Sequence, residues 1–298
     1  MGGAGLSRRR ILVAGAAVAA GFMSAGCAVA EGKSSSVTIT AAARISGTTP
    51  PKPSASPARP VTAVAPPQPD PAAVAARYAG RKPTAWGTDL PGIITTVPAE
   101  NNRMALTFDA CGGPGNDEIN SELMNYLITH NISATLFLNK RWIDADPARA
   151  EKLAANPLFE LANHGTRHCP VSVTGRAAYG ISGTHSPQEA VDEVWGNHER
   201  LTRLLGHPPR FFRAGTAHYD DLAVAIVRDL GEQPVGFSIN GDAGATYSAA
   251  QVRTAMAKAR PGAITIAHMH RPKSGTAEGM SVVLPVLRSR GFEFVKLP

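Results

Sequence analysis

Ala105-Leu106-Thr107-Phe108-Asp109-Ala110-Cys111-Gly112-Gly113 is an apolar run that stops at one acid and then meets two glycines. Such a run suits a buried strand, and the glycines let the backbone turn tightly straight after it. A carboxylate left at a strand end points into whatever cleft lies there. The pattern recurs along the chain, with short apolar runs finishing at His164, at Arg213, near Asp242 and at His268. Strands of one α/β sheet would gather all of these groups at one rim.

Between these strand ends the chain alternates in type. Residues 103–108 read as a strand, 117–130 as a helix with Ile119, Leu123, Leu127 and Ile128 on one face, and 132–138 as a strand. A helix over 140–156 is split by Pro147, which suits a first turn; 158–163 is a strand and 169–186 a long polar loop. Ser186-Pro187-Gln188-Glu189 has the make-up of a helix start, for a helix reaching about Leu205. Segments 209–213, 219–230, 234–239, 248–259, 262–267, 279–290 and 291–295 continue the alternation. Parallel strands with helical crossovers follow, as a doubly wound sheet or a barrel, and the polar strand ends favour a barrel, whose site is built where strands finish. Cys111-Gly112-Gly113-Pro114-Gly115 has neither the dinucleotide nor the P-loop glycine spacing.

The 298 residues are 43% hydrophobic, enough for a buried core. Ser7-Arg8-Arg9-Arg10-Ile11-Leu12, followed by an Ala/Val/Gly-rich run too short for a membrane span, reads over 1–30 as a twin-arginine export signal. Ala28-Val29-Ala30 fits a cleavage site that leaves Glu31 first, while Ser24-Ala25-Gly26-Cys27 resembles a lipoprotein box; both readings stand. Loss of the leader's three arginines lowers the formal charge from +7 to +4. That is a mildly basic surface with no Lys/Arg-rich run, which argues against nucleic acid as a partner. Residues 31–75, rich in Pro, Ala and Ser, are expected to be a disordered linker, and 76–298 the folded domain, with 86–97 packing on it as a lead-in strand or flap. Of the three cysteines, Cys27 belongs to the leader, and Cys111 and Cys169 are open to three readings: disulfide, buried free thiols or metal ligand.

His164-Gly165-Thr166-Arg167-His168 places two imidazoles where a turn could converge them on one ion. With these motifs the domain resembles the polysaccharide deacetylases of the NodB homology group, the family 4 carbohydrate esterases. Thr107-Phe108-Asp109-Ala110 stands where that family has Thr-Phe-Asp-Asp, and Asn163-His164-Gly165-Thr166-Arg167-His168 matches its Asn-His-(Ser/Thr)-x-x-His. Phe212-Arg213-Ala214-Gly215 corresponds to its Arg-Pro strand end, Gly241-Asp242 to its Asp-containing fourth motif and Ile266-Ala267-His268 to Leu-x-His.

The resemblance implies an α/β fold, a distorted and incomplete (β/α) barrel. It also implies a metal-dependent hydrolase of carbon–nitrogen bonds other than peptide bonds, removing N-acetyl groups from a cell-envelope or related polysaccharide. By the same resemblance Asp109 is the general base, His164 and His168 hold a divalent metal, zinc first with cobalt or nickel as alternatives, Arg213 holds Asp109, and Asp242 orients His268, which protonates the leaving amine. The family's second aspartate, its third metal ligand, is Ala110 here. Asp109, Cys111 or further waters are left to complete the shell. A non-catalytic glycan-binding wall protein on the same scaffold is the alternative. The expected setting is extracytoplasmic, secreted or lipid-anchored, with membrane contact only through the leader or anchor. His270 is expected at the rim, facing away, and Tyr179, Trp195, His218 and Tyr247 are left outside the site.

Overall fold

The structure, a computed structural model, describes residues 68–298; the expected export signal, Cys27 and most of the expected linker lie outside the described residues. In chain order the first elements are α1 (Pro71–Tyr78), β1 (Trp86–Gly87), β2 (Arg103–Ala105), β3 (Thr107–Ala110), α2 (Ser121–Thr129), β4 (Ala134–Leu138), α3 (Lys140–Ala145), α4 (Pro147–Ala154), β5 (Phe159–Asn163) and α5 (Pro187–Leu205). Then come β6 (Phe211–Phe212), β7 (Tyr219–Asp220), α6 (Asp221–Asp229), β8 (Gln233–Pro234), β9 (Ile239–Asn240), α7 (Ala249–Met256), β10 (Thr265–His268), α8 (Thr276–Ser289) and β11 (Glu293–Val295).

Side-chain caps set the helix limits. Asp146 accepts from Arg149 N–H ahead of Pro147, which separates α3 from α4 where the sequence placed the split. Ser186 accepts from Glu189 N–H with Pro187 in the first turn of α5, and Gly206 ends that helix at φ +77°. Asn120 caps α2 through Leu123 N–H, so the helix begins at Ser121 rather than 117. The expected face of α2 also changes. Leu123, Met124 and Leu127 are buried, whereas Ile128 is 44% exposed, because one further residue rotates the side chain by about 100°. The folded domain starts before 76: Asp70 caps α1, whose Val74, Ala75 and Tyr78 are buried in a cluster that includes Val191, Ala223 and Val227.

Seven strands form one parallel sheet in the order β8-β6-β5-β4-β3-β10-β9. The two edge strands are close in the chain, with only residues 235–238 between Pro234 and Ile239. Six spacings of about 4.8 Å would set the edges of a flat sheet roughly 29 Å apart. Five Cα steps reach at most about 19 Å. The sheet therefore curls into the incomplete barrel expected. The lead-in segment runs near both edges, Ile94 bridging Val235 and Thr96 bridging Ala263, while only Trp86–Gly87 pairs as a strand, with β7.

The two faces of the sheet separate by strand alternation. Leu136 and Leu138 of β4 join the cluster packed against α2, α7 and α8, and Phe137 joins Ala105, Ala162, Phe211, Val235 and Ile264 on the other face. On β3, Phe108 and Ala110 belong to the first cluster, which leaves Thr107 and Asp109 on the face of Phe137. Among the described residues no helix is long and apolar enough to cross a membrane.

Candidate active site and metal centre

All strands of a parallel sheet end at the same rim. Asp109 on β3 pairs in register with His268 on β10, and His164 and Arg213 directly follow the ends of β5 and β6, which pair at Asn163 and Phe212. Asp242 follows β9. The predicted site residues Asp109, His164, His168, Arg213, Asp242 and His268 are thus brought together, and Asp109, His164, His168 and His268 line a cavity of about 680 Å³.

Arg213 is fully buried and serves Asp109. Its Nη1 donates to Asp109 Oδ1 at 2.7 Å and to Thr107 Oγ1 at 2.8 Å, and Nη2 donates to the Gly236 carbonyl at 2.9 Å. The guanidinium also lies 4.1 Å from the Phe137 ring centroid. Asp109 Oδ1 is thereby engaged, and Oδ2 stands 3.5 Å from His164 Nε2. The ring of His164 is fixed from behind, Nδ1 donating to the Arg213 carbonyl at 2.8 Å, which leaves Nε2 as an electron-pair donor. Burial drives the His164 pKa down to about 3, and burial followed by the neighbouring His164 lowers His168 as well. Both rings are neutral at physiological pH, the form that binds a metal.

His168 adopts a left-handed backbone at φ +64°, a conformation unusual for a residue with a Cβ. Glu193 of α5 holds it there. Its Oε1 accepts from His168 N–H at 2.9 Å and Cys169 N–H at 3.3 Å, and its Oε2 accepts from Arg167 N–H at 2.9 Å. The loop presses so closely on this carboxylate that a Cβ at Gly165, φ +78°, would stand 2.3 Å from Glu193 Oε1. Burial raises the Glu193 pKa, against the pull of these N–H groups. The same loop is tied at its start: Asn139 Nδ2 donates to the His164 and Gly165 carbonyls, and Asn163 Oδ1 accepts from Gly165 N–H at 2.9 Å. Behind it, Asn163 Nδ2 donates to Glu232 Oε1 at 2.9 Å, which also meets His198 Nδ1 at 2.8 Å, and burial raises the Glu232 pKa to about 7.

His268 and Asp242 form a second unit. Asp242 Oδ1 lies 2.8 Å from His268 Nδ1, while Oδ2 accepts from His268 N–H at 2.7 Å and Thr276 Oγ1 at 2.9 Å. Burial opposes a charge on His268, but the charge and hydrogen bond of Asp242 outweigh it and hold the imidazolium well above the usual histidine range. Asp242 is correspondingly lowered, His268 outweighing its own burial.

The structure corrects two readings of this region, of His270 and Tyr179, and narrows a third, of the cysteines. His270 does not face away: it lines the cavity, with its ring 5.5 Å from that of His268 and Nδ1 3.2 Å from the Asp109 carbonyl. Alternate residues of an extended chain share a face, so His270 follows His268 inward. Tyr179, left outside the site, also lines the cavity, 83% exposed at the tip of the Ala178–Ile181 turn. Cys111 and Cys169 are both buried free thiols and form no disulfide with each other. Glu193 is the supporting residue the sequence reading missed. Its signal was its position on the buried stripe Ala190, Val194, Asn197, Leu201 of α5, where a charge needs a partner.

The donor set fits a divalent metal ion. Among the described residues, ligand atoms of Cys111, His164 and His168 all lie within 4.8 Å of one another. Two neutral imidazoles beside a sulfur suit a borderline-soft ion. Ala110, fully buried, offers no donor.

Comparison with known proteins agrees with this geometry. A family model described as polysaccharide deacetylase matches residues 96–235, a span that includes Asp109, His164, His168 and Arg213. The chain is 26% identical over 207 residues to a chitooligosaccharide deacetylase of Bradyrhizobium sp. (strain ANU 289), covering 65% of this chain and 88% of that protein. Its fold is similar to that of a peptidoglycan N-acetylglucosamine deacetylase, with TM-score 0.59 and 22% identity over 70% of this chain and 91% of the other. A family 4 carbohydrate esterase pseudoenzyme from Bacillus anthracis superposes with TM-score 0.57 and 20% identity, covering 70% of this chain and 68% of the other. The Bacillus subtilis family 4 esterase PdaA does so with 0.55 and 18%, covering 77% and 89%. With its motifs in order along the strand ends and residues 96–235 matching the polysaccharide deacetylase model, the domain is similar to the NodB-type polysaccharide deacetylases, hydrolases that act on carbon–nitrogen bonds other than peptide bonds.

Proposed function

We propose that this protein is an exported, metal-dependent deacetylase that hydrolyses N-acetyl groups on a cell-envelope polysaccharide. The observation that carries the reading is the pairing, across one cavity, of an arginine-held carboxylate with a carboxylate-held imidazolium beside two neutral imidazoles. His164 and His168 would hold a divalent ion, zinc before cobalt or nickel, whose chemistry is to polarise the acetyl carbonyl and acidify water.

The chain's own groups divide the proton work. Asp109 presents Oδ2 to the cavity while Arg213 occupies Oδ1, so one oxygen is positioned to take the proton of the attacking water. His268 is kept charged by Asp242 at Nδ1, which leaves Nε2–H to protonate the departing amine nitrogen as the C–N bond breaks. Acetate and a free amino sugar are the products. The amine carries the proton given by His268, and the proton taken by Asp109 resets the pair.

Acetate release from peptidoglycan, chitin oligomers and O-acetylated polymers, measured with and without added divalent metal, tests the activity. Release from an N-acetylated polymer that depends on metal is the expected result; no release from any polymer by metal-loaded protein overturns it. The non-catalytic glycan-binding reading is favoured by one observation, the donorless Ala110, and glycan binding unaffected by Asp109→Asn with no acetate release would establish it. Export is tested by mass spectrometry of the mature N-terminus, which distinguishes Glu31 from an acylated Cys27 and both from an uncleaved Met1.

A further inference from the structure

We infer that Cys111 is the third protein ligand of the metal, its thiolate standing in for the carboxylate that Ala110 lacks, so that the centre is His164, His168 and Cys111. This rests on the metal-dependent reading above and specifies the chemistry of that site. The Sγ of Cys111 lies 3.9 Å from His164 Nε2, and the sulfur and both imidazoles form the cluster whose donors are all within 4.8 Å. A tetrahedral ion with zinc-like bonds to nitrogen and sulfur sets those two atoms roughly 3.6 Å apart. The Cys111–His164 pair reaches that spacing with a shift of a few tenths of an ångström.

The backbone aims this sulfur. β3 ends at Ala110, and Gly112 and Gly113 turn the chain at φ +66° and +92°. A Cβ at Gly112 would stand 2.5 Å from Trp142 N, so the turn is pressed against α3 and has one path. Cys111 is held at both its polar atoms, its carbonyl accepting from Arg141 Nη2 at 3.4 Å and its N–H facing His270 Nδ1 at 3.5 Å. Asp109 is the competing donor, since Oδ2 is 3.5 Å from His164 Nε2. Its other oxygen is bound to Arg213, however, and it falls outside the mutually close donor set. Coordination replaces the S–H bond of Cys111 by a sulfur–metal bond, and the proton leaves to solvent. A centre with one thiolate and two imidazoles selects zinc or cobalt over magnesium or calcium, which take oxygen donors.

The experiment loads the full chain with cobalt(II) and records its near-ultraviolet spectrum, then measures zinc affinity by chelator competition. The expected result is a sulfur-to-cobalt charge-transfer band in the wild type, kept in Cys169→Ser and lost in Cys111→Ser. Zinc affinity of Cys111→Ser should fall by more than the roughly 10–100-fold that loss of an outer-shell partner costs. Bound cobalt without the band in the wild type, zinc affinity unchanged in a folded Cys111→Ser, or no metal binding at all overturns the assignment. The wild-type spectrum decides even if a variant misfolds. Acetate release is read separately: the band without acetate leaves the ligand set standing and removes the deacetylase reading, and acetate without the band does the reverse.

Discussion

Replacing Arg213 by methionine isolates the buried ion pair on which the base depends. The side chain is fully buried and donates to Asp109, Thr107 and the Gly236 carbonyl at 2.7–2.9 Å. Arg213→Met keeps an apolar stem against Phe137 but leaves Asp109, itself 1% exposed, ionised without its counter-ion. Breaking such a pair from one side costs about 3–5 kcal/mol. At roughly 2–4 °C per kcal/mol for a domain of this size, Tm should fall by about 6–20 °C. Adding Asp109→Asn removes the stranded charge, so the double variant should be more stable than Arg213→Met alone although both are inactive. Thermal unfolding followed by two probes, in chelator so that no ion neutralises Asp109, is the assay. A Tm for Arg213→Met within about 2 °C of wild type, or strictly additive losses in the double variant, refutes the reasoning.

Three further outcomes follow from particular contacts. Asp242→Asn removes the charge that holds His268 above its ordinary range, so the imidazolium should lose its proton at lower pH; the alkaline limb of kcat/KM then moves to lower pH, and an unmoved limb counts against His268 as the acid. Glu193→Gln exchanges an acceptor oxygen for an amide nitrogen facing the loop at 167–169, and zinc affinity should drop roughly 10–100-fold; unchanged affinity shows that the carboxylate does not hold His168. Tyr179→Ala removes an exposed aromatic face at the cavity mouth, raising KM for a polymer roughly 3–10-fold with kcat and Tm kept, whereas a fall in kcat alone would place Tyr179 elsewhere in the reaction.

The strand ends were legible because a parallel sheet obliges them to be: an apolar run that stops at a single polar residue has one rim to reach, and Asp109, His164, Arg213 and His268 all reach it. The start of α5 was legible for a local reason, since Ser186 and Pro187 settle capping within one turn. The start of the domain was not, because the apolar residues of α1, Val74 and Tyr78, gain their meaning only from packing on α5 and α6 far along the chain. Ile128 failed for a related reason. Periodicity proposes a face, and the neighbour decides how wide it is.

What single-residue patterns could not show is how the metal loop is held. His164 lies in ordinary backbone, fixed by the Arg213 carbonyl, whereas His168 sits in left-handed backbone that costs free energy by itself. That cost is offset from outside the motif, by a buried carboxylate on α5 that collects successive N–H groups of the loop and needs them in return, since Glu193 unpaired would be an isolated buried charge. The two requirements satisfy each other, and Gly165 allows them to approach closely enough to do so. The motif therefore supplies the imidazoles, α5 supplies their geometry, and the turn at Gly112 brings the sulfur of Cys111 close to them from the end of β3, two strands along the same rim. Ala110 offers no donor, and the sulfur one residue later reaches the imidazoles because the chain turns there, pressed at Gly112 against Arg141 and Trp142 of α3 rather than directed by anything in the Thr-Phe-Asp stretch itself.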